Sequence, residues 1–239
     1  TTTGLMQAFA GTLGMQGSGT LDNSAGVIEA LDGEVVELGG SGTVTGGELT
    51  SAGTGVIRSI SANPTLNGSA STVINNAAIE IPNSARLRLS GEVENNGSIA
   101  LQDSGSDTYL HPLDGPVTLS GDGELTLTDS PTNWIYRGSS TRALVNGPTH
   151  TIRGAGNIGW SGVPTAFTNQ GTVIADSTTN SLRIDCSHAS GVINQQGRAF
   201  THGFEIHLEK ATLLYEFAVL GGEGKLLMPL TLLDAKSQA

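Results

Sequence analysis

The sequence predicts an all-β chain wound as a right-handed parallel β-helix, that is, a solenoid, with an atypical C-terminal segment. Three observations predict it. Short runs rich in β-branched residues recur between turns of Gly, Asn, Ser and Asp. A turn of Asn and Gly followed by such a run returns after 20 residues between Asn75 and Asn95, and after 25 between Asn169 and Asn194. Periods of this length are typical of solenoids. Gly supplies 34 of 239 residues, and charged residues are only 14%, which favours an extracellular β-rich protein over a cytosolic enzyme.

The clearest repeat unit spans residues 167–185. Residues 172–174 are all β-branched, and such side chains suit a pleated strand better than a helix. In residues 182–185, Leu and Ile alternate with polar neighbours. The preceding Asn-Gln-Gly is turn chemistry, because Asn and Gly tolerate positive φ. The unit therefore predicts two short strands, each next to a polar turn.

The repeats divide the chain into three parts. Residues 1–19 are interpreted as an N-terminal cap or partial coil, in which residues 5–10 form either one helical turn or a first coil. Residues 20–200 are predicted to be β-helix coils. Residues 201–239 have longer apolar runs and little Gly, which predicts a C-terminal cap or contact segment. Asparagines recur at the turns, and we expect their amides to stack and bind one another: Asn23, Asn75, Asn95, Asn169 and Asn194.

Charge and cysteine content exclude several classes of function. The net charge is −11, and the 11 Lys and Arg are scattered singly. This argues against a nucleic-acid partner and against anionic membranes. Cys186 is the only cysteine, so no disulfide forms within the chain and no Cys-based zinc site is expected. Its alternating apolar surroundings predict a buried, inert thiol.

Several segments resemble the repeats of very large bacterial surface proteins. They are Thr-Leu-Ser-Gly-Asp-Gly-Glu-Leu-Thr-Leu-Thr at 118–128, Gly-Ala-Gly-Asn-Ile-Gly at 154–159 and Thr-Asn-Gln-Gly-Thr-Val-Ile-Ala at 168–175. The resemblance is to filamentous-haemagglutinin-like and autotransporter-passenger-like β-helical proteins, and it covers about residues 90–200. It implies a location outside the bacterial cell, at its surface. Those families share no active site to carry over, and the last 35 residues depart from their pattern. The lack of an initiator Met and of a signal peptide leads us to expect a piece of a longer polypeptide.

Aromatic residues offer a candidate ligand site. Trp134, Tyr136 and Trp160 are predicted to form a platform for sugar rings, and Tyr109 and Arg137 extend it into a glycan groove. The alternative is that these rings only close a wide coil.

The densest carboxylates offer a candidate calcium site. Asp103, Asp107 and Asp122 lie in or near an irregular segment, and Ca²⁺ prefers converging oxygens. Their spacing matches no EF-hand, and a solvated loop is the alternative. No other cofactor is expected.

These features favour an adhesive or structural segment that presents loops to a glycan or another cell-surface ligand. The main alternative is a polysaccharide lyase or glycoside hydrolase, including the phage-tailspike type, on the same fold. Such an enzyme needs convergent carboxylates, or calcium and a basic residue. Its candidates are Asp103, Asp107, Asp122, Arg137 and Arg142. A third hypothesis is an ice-binding surface. Such a surface needs flat rows of Thr side chains, and few segments supply them. Association of three rods into a homotrimer is left open.

Overall fold

The computed structural model describes most of the first 185 residues and short runs beyond them. The described ranges are 4–60, 63–113, 115–135, 142–159, 165–185, 192–194, 198–201, 204–207, 218–220 and 226–229. Regular structure in these ranges consists of β-strands. Within them, no helix has the length and apolar character needed to cross a membrane.

Most strands are three to six residues long, whereas Thr65–Asn76 has 12 and Arg86–Asn95 has 10. The first are β1 Leu5–Ala8, β2 Thr12–Met15, β3 Thr20–Asp22, β4 Val27–Ala30, β5 Val35–Leu38, β6 Thr43–Thr45, β7 Gly47–Ser51, β8 Val56–Ser59, β9 Thr65–Asn76, β10 Ala78–Pro82, β11 Arg86–Asn95, β12 Ser98–Gln102, β13 Thr108–Pro112 and β14 Gly115–Ser120. The remainder are β15 Glu124–Leu127, β16 Asn133–Ile135, β17 Arg142–Asn146, β18 Thr151–Gly154, β19 Gly156–Gly159, β20 Thr165–Asn169, β21 Thr172–Ala175, β22 Leu182–Asp185, β23 Val192–Asn194, β24 Arg198–Thr201, β25 Phe204–His207, β26 Ala218–Leu220 and β27 Leu226–Pro229.

The strands stack in parallel on three faces, which confirms the predicted all-β parallel solenoid. The first face contains β1, β4, β7, the C-terminal half of β9, the C-terminal half of β11, β14, β17, β20 and β23. The second face contains β2, β5, β8, β10, β12, β15, β18, β21, β24 and β26. The third face contains β3, β6, the N-terminal halves of β9 and β11, β13, β16, β19, β22 and β25.

Alternation of inward and outward side chains explains why each face is stable. In β10 the inward residues Ile79 and Ile81 are fully buried, whereas Ala78, Glu80 and Pro82 are half-buried on the outside. Because successive side chains of a strand point to opposite faces, every strand contributes its inward residues to one continuous core. On the second face the inward column is Ile57, Ile79, Ile99, Leu125, Ile152 and Val173, all at most 2% exposed.

The predicted stacking of turn asparagines is confirmed for two corners. Asn75 Nδ2 donates to Asn95 Oδ1 at 2.7 Å, and both residues are fully buried. Asn169 likewise accepts from Asn146 Nδ2 at 2.7 Å, although Asn146 was not among the predicted positions. Asn23 differs: its amide lies 3.4 Å from the Gly46 carbonyl, so it binds backbone and not another amide. The Asn194 side chain lies outside the described residues.

The two ends of the described chain differ from each other. The N-terminal segment 5–8 is the strand β1, which pairs with β4, so the helical-turn alternative is wrong. At the other end, β26 pairs in parallel with β24 but antiparallel with β27, a departure from the solenoid pattern. Cys186 lies outside the described residues.

Candidate functional site

The structure places two of the predicted aromatic residues side by side on the third face. Tyr109 on β13 is the direct register partner of Trp134 on β16, and both side chains are half-buried. They come from successive coils, and neighbouring strands in a sheet lie about 4.8 Å apart. The other predicted members of this groove, Tyr136, Arg137 and Trp160, lie outside the described residues.

One carboxylate joins the polar edges of both rings. Asp107 Oδ2 accepts a hydrogen bond from the Tyr109 hydroxyl at 2.8 Å, and Asp107 Oδ1 accepts one from Trp134 Nε1 at 2.9 Å. Asp107 immediately precedes β13, so it lies at the corner of the coil, next to both rings. Since Tyr and Trp carry a polar group at one end of an apolar ring, bonding at that end restrains the orientation of the ring. We call Tyr109, Trp134 and Asp107 the aromatic clamp.

A cation covers one side of the clamp. The guanidinium carbon of Arg86 lies 4.7 Å from the centre of the Tyr109 ring, within the range of a cation–π contact. Arg86 Nη1 also donates to Asn63 Oδ1 at 3.1 Å. On the same strand as Tyr109, the His111 ring lies 5.2 Å away, centre to centre, at an angle of 54°. Arg86 and His111 thus both contact the Tyr109 ring of the clamp.

The column of outward residues continues beyond Trp134. Its register partner on β19 is Asn157, whose own partner on β22 is Arg183. Asn157 Nδ2 donates to the Pro131 carbonyl at 2.7 Å, and Arg183 pairs with Asp185 at 2.9 Å. The clamp thus lies within a polar track that follows the solenoid axis.

Asp103, a predicted calcium ligand, is held by four hydrogen bonds instead. The side chains of Ser130 and Thr132 donate to its Oδ2, and the backbone amides of Gly105 and Ser106 donate to its Oδ1 at 3.0 and 2.9 Å. Only 6% of Asp103 is exposed. Burial acts to raise the pKa of this carboxyl, but the four hydrogen bonds outweigh burial and hold the pKa below its usual value. Asp103 is therefore an ionised structural anchor and no source of protons.

The structure does not gather the predicted calcium ligands. Asp103 and Asp107 accept the hydrogen bonds given above, and Asp122 is exposed in the turn between β14 and β15. Across the described part of the chain, no group of three or more His, Cys, Asp and Glu side chains is arranged to hold a metal ion.

The candidate catalytic residues are distributed over different faces. Arg142 begins β17 on the first face, in register with Gly115 and Thr165. Asp107 lies at the third face, and Arg137 falls outside the described residues. Among the described residues of the predicted catalytic set, no Asp therefore lies beside an Arg on one strand face.

An apolar cavity lies elsewhere, at the N-terminal end of the core. It has a volume of about 350 Å³, and its lining includes Met6, Leu13, Met15 and Leu21. These side chains come from the first coil, whereas the clamp belongs to later coils of the third face. The cavity therefore takes no part in the aromatic site.

Sequence reasoning grouped Tyr109 with Trp134, which the structure places in register, but it missed the contact of Arg86 and the hydrogen bonds of Asp107. The alternation in residues 86–89 does indicate that Arg86 points outward. Its contact with Tyr109 depends on the register between β11 and β13. Because the corner segments differ in length, no constant period in the sequence gives this register. Comparison with known proteins adds no assignment, because no family model, curated protein or solved structure matches this chain.

Proposed function

We propose that this chain is an adhesive segment of a large bacterial surface protein that binds glycans through the aromatic clamp. The observation that carries the proposal is the pair Tyr109 and Trp134, held in register on a rigid face by Asp107. Aromatic rings pack well against the apolar faces of sugar rings. Because the rings are already restrained, a ligand loses less free energy in ordering them.

The surrounding polar groups suit a hydroxylated ligand better than an apolar one. Arg86 on one side and Asn157 on the other flank the two rings along the solenoid axis. Ligand sites typically combine aromatic contact area with a few placed polar groups. The parallel stack supplies a stiff rod, which is the mechanical role expected of a surface-exposed adhesin.

A glycan array with matched variants tests the proposal. The wild type is compared with Trp134→Ala, which removes one ring of the aromatic clamp, and with Phe9→Ala as the control. Phe9 is 75% exposed on the first coil, so its loss removes an exposed aromatic ring from another place. We expect wild type and Phe9→Ala to bind the same glycans, and Trp134→Ala to bind them at least about tenfold more weakly.

Two outcomes would contradict the proposal. The first is equal glycan binding by Trp134→Ala and wild type. The second is an absence of binding by the wild type across the array, which would favour a purely structural spacer.

A further inference from the structure

A histidine interrupts the buried row of asparagine amides. Asn95 Nδ2 lies 3.0 Å from His150 Nε2, and His150 Nδ1 lies 2.7 Å from Asn146 Oδ1. With the Asn75–Asn95 and Asn146–Asn169 bonds at either end, five side chains form one continuous series of hydrogen bonds. All five are at most 3% exposed. We call this series the amide chain.

The histidine fills a position that has no side chain of its own. Glu94 on β11 pairs with Ser120 on β14, so the residue in line with Asn95 is Gly121. Gly121 has φ +88°, and a Cβ there would lie 2.5 Å from the Asn95 carbonyl oxygen. An asparagine at position 121 would therefore clash. The ring of His150, from the turn between β17 and β18, lies in its place and connects Asn95 to Asn146.

The neighbouring amides determine which ring nitrogen carries the proton. Asn95 Nδ2 also donates to the Glu124 carbonyl at 3.2 Å, and its Oδ1 accepts from Asn75, so the Asn95 amide nitrogen must face the ring. Asn146 Nδ2 donates to the Thr172 carbonyl at 3.1 Å and to Asn169, so its oxygen must face the ring. His150 therefore accepts at Nε2 and donates from Nδ1–H, and every bond of the amide chain points in the same direction.

We propose that His150 is a proton-operated switch, in which protonation at Nε2 breaks the amide chain between His150 and Asn95 and loosens the corner where β11, β14 and β17 meet. A proton on Nε2 would place two donors against each other, because Asn95 Nδ2 has no lone pair to accept it. Relief requires either expulsion of the ring or a half-turn of the Asn95 amide. The half-turn would break the bond to Glu124 and set two donors against each other at Asn75.

The charged groups on the neighbouring elements do not offset this conflict. They lie at the surface or bind one another: Glu92 is exposed, Glu94 accepts from Asn96, Asp122 is exposed, and Glu124 pairs with Arg153, which also pairs with Asp176. Burial is the cause that lowers the pKa of His150 to about 4. The amide chain is therefore intact at neutral pH and is broken in acid.

Hydrogen exchange at the corner tests the switch. The reporters are backbone amides that hold this layer together: Gly123 to the Asn95 carbonyl, Gly147 to the Leu119 carbonyl and Thr151 to the Gly123 carbonyl. The wild type is compared with His150→Gln, whose amide both donates and accepts but does not titrate. The control is His111→Gln, which removes another buried histidine, one that lies on the third face.

We expect local opening at these amides, corrected for intrinsic exchange rates, to increase on the order of a hundredfold between pH 7 and pH 4 in wild type and His111→Gln. An amide in the early coils, such as Ala52 to the Ala30 carbonyl, should change far less. In His150→Gln the corner should lose this pH dependence. Equal loss of protection in His150→Gln, or none in wild type, would overturn the proposal.

A second measurement decides the matter if His150→Gln does not fold. Imidazole ¹⁵N shifts of the wild type report the tautomer and its titration directly. The expected result is a neutral Nδ1–H ring at pH 7 that titrates well below the ordinary value of 6.5. An Nε2–H tautomer, or titration at the ordinary value, would overturn the proposal.

Discussion

Replacing Asp103 should show how strongly this buried carboxylate stabilises the fold. Asp103→Asn keeps an oxygen that can accept from the Gly105 and Ser106 amides, but it replaces Oδ2, which accepts from Ser130 and Thr132, by an NH₂ group. Hydrogen bonds to a charged group contribute about 1.5–3 kcal/mol each and are not additive. We therefore expect Asp103→Asn to lower the free energy of unfolding by about 2–3 kcal/mol at pH 7. Asp103→Ala, which loses all four bonds, should cost about 4 kcal/mol.

The pH dependence of this cost has a definite sign. The folded-state pKa of Asp103 is depressed below the ordinary value of 3.8, so its contribution is fully present above that value and is lost as the pH falls through the folded pKa. The difference between wild type and Asp103→Asn should therefore shrink below about pH 4.

Urea unfolding at pH 7 and pH 3, followed by circular dichroism, measures both effects. Asp122→Asn is the matched control, because Asp122 is exposed in a turn, and it should change the free energy of unfolding by less than about 0.5 kcal/mol. The reasoning would be refuted if Asp103→Asn matched this control at pH 7, or if its cost were undiminished at pH 3.

Three further substitutions probe the core, the corner and the surface. Ile99→Ala, in the middle of the inward column of the second face, should cost about 3–4 kcal/mol in urea unfolding; a cost below 1 kcal/mol would contradict a close-packed core. Gly121→Ala should cost at least about 2 kcal/mol by the same measurement, because its φ is positive and the new Cβ would meet the Asn95 oxygen. Arg153→Ala should cost no more than about 1 kcal/mol in low salt and less in high salt, because its pairs with Glu124 and Asp176 are partly exposed; a large, salt-insensitive loss would be inconsistent with that account.

The sequence predicted those parts of the fold that depend on local pattern. The position of Ile79 and Ile81 on either side of Glu80 identified inward positions, and the 20-residue step from Asn75 to Asn95 matched a real stacking contact. Both signals arise within one strand or between coils of similar corner geometry. They needed no knowledge of the long-range register.

Features that depend on the register between strands were not predictable in the same way, because the corners that connect the strands differ in length. Arg86 lies 23 residues before Tyr109, and Trp134 follows Tyr109 by 25, so no constant period aligns them. His150 was missed because its place in the amide chain follows from the missing side chain at Gly121, which becomes evident only when β11 and β14 are aligned. For Asp103 the sequence predicts a calcium ligand or part of a solvated loop, because the hydroxyl groups that bind it lie 27 and 29 residues away.

The most direct test of the glycan-binding proposal uses Trp134 as its own reporter. The chain has two tryptophans, Trp134 and Trp160. Because Trp160 is a predicted member of the groove, Trp160→Phe keeps an aromatic ring at that position and leaves Trp134 as the single tryptophan emitter. This variant is titrated with the soluble form of each glycan bound on the array, and the mixture is assayed for new reducing ends and for 235 nm absorbance. The account predicts a saturable change in Trp134 emission without product. Saturable binding with no change in Trp134 emission would contradict the location of the site, and formation of product would replace the adhesive function with a lyase or hydrolase.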